Sequence, residues 1–215
     1  MRIALDPTPF PLPPACVEAL AAAWSSPPRA YHDLVHLGEV LASYRDAARR
    51  RPWHRPREVF WALCCHDAIY VAGAGDNEAR SADLAAALAT AHLADAGLDL
   101  ARVRELILLT ARHGAVDGPA LDDDAARLLD CDLAILAAPP DRFDAYDAAV
   151  AVEYAHVPPA AFRAGRRTFL AGLLAAPRIF HSDDAHARLD AAARSNLSRA
   201  IARLDQASPA AGPAR

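Results

Sequence analysis

The chain has 215 residues, 53% of them hydrophobic but only 7% aromatic, and its 23 basic against 27 acidic side chains leave a formal net charge of −4. That length supports one well-buried core and demands no second domain. The acidic balance excludes a non-specific nucleic-acid binder, which needs a basic face to release counterions. Alanine supplies much of the apolar content, which favours tightly packed helices over strands. Every basic residue is arginine. Of four cysteines, Cys64 and Cys65 are adjacent while Cys16 and Cys131 stand alone, a spacing that fits neither a zinc site nor a disulfide framework and points to a reducing compartment. MRIALDPTPFPLPP lacks a signal-peptide core, and no apolar run approaches the roughly 20 residues of a membrane span, so the expectation is a soluble, cytoplasmic protein.

Proline clusters punctuate the chain at Pro11 to Pro14, Pro27 with Pro28, Pro52 with Pro56, Pro139 with Pro140 and Pro158 with Pro159; each interrupts a helical pattern. The apolar periodicity between them predicts helices over about 14–24, 33–50, 57–68, 77–95, 99–113, 121–137, 141–155, 159–175 and 183–205. The predicted fold is therefore all-α, a single-domain helical bundle over 1–205, with a disordered tail over 206–215 of composition QASPAAGPAR. The stretch 71–76, VAGAGD, is glycine-rich but lacks the Lys and Ser/Thr of a P-loop and follows no strand, so it reads as a helix connection.

Function is sought where polar groups occupy positions that the helical period makes apolar, because a buried unpaired charge is costly. In YHDLVHL, Asp33 stands just before the stripe Leu34, Leu37, Leu41, Tyr44 and reads as an N-cap, leaving His36 in the first turn. In EVFWALCCHDAIY, an almost wholly apolar run ends in His66 and Asp67, which at a helix end can both reach one ion; a hydrogen-bonded couple is the competing reading. In DNEARSA, Asp76 or Asn77 caps a helix and Glu78 favours its dipole. His113 ends LILLTARHG behind Leu109 and Thr110 and faces inward. Asp132 is the clearest case: Leu128, Leu129, Ile135 and Leu136 surround it at i−4, i−3, i+3 and i+4, so its carboxylate emerges from the apolar face. Asp130 is more lateral, with Arg127 available at i−3, and reads as structural.

Taken in order, YHDLVHL, CCHDAIY, DNEARSA, LTARHG and LLDCDLAIL resemble the HD superfamily of metal-dependent phosphohydrolases, and within it a small bacterial group, over roughly 31–204. The resemblance carries the H…HD…D motif onto His36, His66, Asp67 and Asp132 as metal ligands, with none substituted. It implies a helical bundle of the HD-domain type. The Glu that some HD nucleotidases carry just after the His-Asp pair is absent, Ala68, Ile69 and Tyr70 standing there; the resemblance offers Glu78 as the water-orienting carboxylate instead. It also makes His113 the candidate ligand for a second metal, as in di-iron HD oxygenases.

Two imidazoles and two carboxylates suit Mn, Fe, Co, Ni or Zn better than Ca. The implied activity is hydrolysis of phosphate esters or anhydrides, nucleotides among them, by a metal-activated water, with Asp67 both ligand and proton acceptor. His32, Arg80, Arg166 and Arg167 are the candidates for neutralising a small phosphorylated substrate. Two alternatives stay open: a non-catalytic nucleotide or metabolite binder on the same scaffold, and a di-iron oxygenase.

Overall fold

A computed structural model describes residues 8–112 and 121–206. Among them the chain forms nine α-helices and no strand: α1 Pro14–Trp24, α2 Leu34–Arg50, α3 Pro56–Cys65, α4 Asn77–His92, α5 Leu100–Thr110, α6 Asp123–Leu133, α7 Pro140–Glu153, α8 Pro159–Ala175 and α9 Asp183–Gln206, with short 3-10 turns at Ala94–Ala96 and Ala134–Ala137. The all-α, single-domain expectation holds. Helix termini shift by a few residues: α3 stops at Cys65, not 68, and the stretch predicted as one helix over 121–137 is α6 followed by a 3-10 turn. His113 and the tail from 207 lie outside the described residues.

Local chemistry sets these boundaries. Prolines at the first turn start α1, α3, α7 and α8, where the missing N–H is no loss and φ is already helical. Asp33 caps α2 by accepting from Val35 N and His36 N, as the sequence predicts. Asp76 makes no side-chain cap to α4. Arg127 does not pair with Asp130. It stacks over Trp53, 3.9 Å from the ring centroid, and donates to the carbonyls of Ala47 and Arg51 at 2.9 and 2.6 Å, where a cation satisfies the free carbonyls at the end of α2.

Two apolar clusters hold the bundle. The first gathers α1 to α6 around α3, which is buried along its whole length from Glu58 to Cys65, as befits a helix that is apolar all round. The second gathers the 3-10 turn at 134–137, α7, α8 and α9, and includes Tyr31 from the α1–α2 connection. The boundary between them runs through α6: Cys131 belongs to the first cluster and Leu133 to the second.

Candidate metal centre

Asp132 lies on that boundary. Its Oδ1 sits 3.3 Å from Nε2 of both His36 and His66. Asp67 Oδ2 is 3.3 Å from His66 Nε2 and 3.8 Å from His36 Nε2. One ligand atom each from His36, His66 and Asp67 falls within a 4.8 Å span, and Asp132 closes the set through its contacts with both imidazoles. The four residues come from α2, the turn after α3 and the end of α6. The break of α3 at Cys65 matters here, because His66 and Asp67, one position apart, can then face the same point.

The histidines are held as ligands need to be. His66 Nδ1 lies 2.9 Å from the Leu63 carbonyl; a carbonyl only accepts, so Nδ1 carries a proton and Nε2 is the atom turned to the carboxylates, free to ligate once it gives up any proton of its own. Trp24 donates to the Cys64 carbonyl at 2.9 Å and floors both imidazoles, its ring 5.5 Å from His66 and 6.1 Å from His36. Both His36 Nε2 and His66 Nε2 are buried with no hydrogen-bond partner of acceptable geometry, although each is close to a carboxylate oxygen.

Electrostatics point the same way. Burial pushes the His36 pKa down, and the pull of the Asp132 carboxylate 3.3 Å away only partly opposes it. For His66 the same burial is outweighed by the charges of Asp67 and Asp132, which hold its pKa well above the usual value. Burial would raise Asp67, but the His66 charge beside it brings the carboxyl down to about 2. Two buried carboxylates thus draw positive charge into the cluster, and with neutral imidazoles the set carries a charge that one divalent cation balances. The donor set of two nitrogens and two oxygens fits a borderline transition ion.

The other predicted residues are distributed unevenly. His32 Nε2 lies 3.9 Å from Asp67 Oδ2, on the more exposed flank of the cluster. Glu78 sits in the first turn of α4 and forms no hydrogen bond or ion pair with any described residue. Arg80 is half-exposed, 3.8 Å from Asp76. Arg166 is buried against Asp147, Tyr146 and Phe169. Arg167 is exposed and paired with Asp205. No contact brings any of these three arginines to the cluster.

Sequence reasoning missed several groups that build the site. Arg29 donates to the carbonyls of His32, Asp67 and Ala68 at 2.5 to 2.8 Å, tying the segment before α2 to the His-Asp turn. Asn77 and Ser81, not Glu78, give DNEARSA its structural part: Asn77 bonds Val71 N and Val71 O at 2.9 and 3.0 Å, and Ser81 bonds Ile69 N and O at 3.0 and 3.1 Å. They fix the loop that follows the His-Asp pair. Glu153 is the third omission; its hydrogen bonds to 30–32 span more than 120 residues of chain, and only its place beside Tyr154 at the end of a helix marks it in the sequence.

Comparisons with protein-family models, curated proteins and solved structures find no match.

Proposed function

We propose that the chain is a metal-dependent phosphohydrolase of the HD type, acting on phosphate esters or anhydrides. One observation carries the reading: two buried imidazole nitrogens without hydrogen-bond partners meet two carboxylates in the order H…HD…D. His36, His66, Asp67 and Asp132 would hold the ion. A divalent transition metal bound there supplies an acidified water and polarises a phosphoryl oxygen. The chain's own groups do the rest. His66 keeps its Nε2 lone pair inward through the Nδ1 bond to Leu63 O. Asp67 Oδ2, close to three imidazoles, accepts the proton of the attacking water. His32, on the exposed flank, contacts the reacting group. Trp24 and the apolar wall of α3 exclude bulk water from behind. Glu78 is assigned to water orientation by resemblance alone.

The test is to load purified protein separately with Mn, Fe, Co, Ni and Zn, count metal per chain, and assay nucleotides and simple phosphate esters. Expected are one ion per chain and metal-dependent turnover, both lost in Asp132→Ala while the helical fold persists. Unaltered turnover in Asp132→Ala refutes the reading. Two irons per chain with oxygen consumption favours the oxygenase, and metabolite binding without turnover favours the binding protein.

A further inference from the structure

Glu153 closes α7, where the helix dipole disfavours a carboxylate, and its side chain is fully buried. Desolvation works against its charge as well, and the hydrogen bonds from His32 and from the amides of Ala30 and Tyr31 oppose that cost. The two oxygens divide the work. Oε1 accepts from three successive amides, Ala30 N, Tyr31 N and His32 N, at 2.9, 2.8 and 2.9 Å, an anion-binding arrangement of backbone N–H groups. Oε2 is not needed for that anchor and lies 2.7 Å from His32 Nδ1. The His32 ring is clamped besides: Tyr70 stacks on it at 3.8 Å and 22°, and Tyr31 meets it edge-on at 4.8 Å. With the plane of the ring fixed, the position of its proton is the remaining freedom.

We propose that Glu153 is a positioning residue for the metal centre: by accepting from His32 Nδ1–H it keeps the Nε2 lone pair bare and directed to the Asp67 flank, where it accepts a hydrogen bond from the attacking water. The inference rests on the phosphohydrolase reading, and it refines the part of His32 there. A carboxylate accepts only, so neutral His32 carries its proton on Nδ1 and offers an acceptor at Nε2. A phosphate oxygen is also an acceptor and is a poor partner for that nitrogen; a water O–H is a good one.

Glu153→Gln separates orientation from anchoring. Its carbonyl oxygen can still take the three amides, while its NH₂ faces His32 Nδ1 and demands the opposite tautomer. Nitrogen-15 shifts of the His32 imidazole, recorded at pH 8 on metal-free full-length protein and on the zinc-loaded form, read the tautomer without recourse to activity. Expected are Nδ1–H in the unaltered protein and Nε2–H in Glu153→Gln, with metal stoichiometry unchanged and kcat/KM for a phosphate ester lowered about 10- to 100-fold, a range usual for loss of a partner that orients a group around a metal site. His32→Ala should lose as much, and adding Glu153→Gln to it should cost little more, because both act through one imidazole. A Nε2–H tautomer in the unaltered protein overturns the proposal, as does unchanged kcat/KM in Glu153→Gln or full additivity of the two substitutions. Failure of the phosphohydrolase reading registers separately, as absent turnover in the unaltered metal-loaded protein.

Discussion

Asp130→Ala should destabilise the fold without touching the metal centre. Asp130 is 5% exposed, and its two oxygens accept from His181 N at 2.6 Å and Ser182 N at 2.9 Å, the amides that lead into α9. Two bonds to a charged acceptor are worth about 1.5 to 3 kcal/mol each. Burial, which lifts the Asp130 carboxyl above its usual pKa despite those amides, takes back part of that. A net loss of about 3 kcal/mol follows, because truncation also leaves two half-buried donors unpaired. For a chain of this size that lowers the thermal midpoint by about 6 to 12 °C. The assay is thermal unfolding by circular dichroism on chelator-treated protein, with Asp130→Asn, which retains one acceptor, expected to lose about half as much. Asp132→Ala is the control: it removes a carboxylate from beside another buried one, and its metal-free midpoint should stay level or rise. A shift under about 2 °C in Asp130→Ala, or an equal fall in Asp132→Ala, would refute the division between a carboxylate that ties α9 and one that awaits a cation.

Two further outcomes follow from the same contacts. Asn77→Ala removes the bonds to Val71 N, Val71 O and the longer one to Ala74 O and should cost about 1 to 3 kcal/mol, with hydrogen exchange accelerating over 69–74 while α2 and α9 keep their protection. Glu153, held down to about 2, contributes stability that is complete above the ordinary glutamate pKa and is lost as pH falls through its folded value. The gap in thermal midpoint between the unaltered protein and Glu153→Gln should therefore be widest above about pH 5 and close toward pH 2; a gap that widens on acidification contradicts the assigned direction.

The helices were legible because proline spacing and the 3.6-residue period are local, and α1 and α8 match their predicted limits. Asp132 and the His-Asp pair were legible as polar groups on apolar faces. His36 was not: in the first turn of α2 it has no signature of its own, and only the resemblance singled it out. Glu153 and Arg29 escaped because their meaning lies in carbonyls and amides far away in the chain. Asp130 shows the limit of pattern reasoning in another way. Its lateral position suggested an ion pair with Arg127, but that arginine is drawn to Trp53 and the end of α2, and Asp130 is taken by amides 51 and 52 residues downstream.

Cys131 and Leu133 pack into different cores, with Asp132 between them, while Tyr31, five residues before His36 and just ahead of α2, reaches across to Tyr146 of α7, 4.5 Å between ring centroids. The candidate site thus borders a seam: His36, His66, Asp67 and Asp132 all belong to α1–α6, and the neighbouring Tyr31 carries the contact across to α7. An ion held by those four residues, present at a hundred times its dissociation constant, would add about 2.7 kcal/mol to the folded state. On the proposed reading that energy would fall on the packing of α2, α3 and α6, and it would reach α7–α9 only through contacts such as Tyr31 with Tyr146.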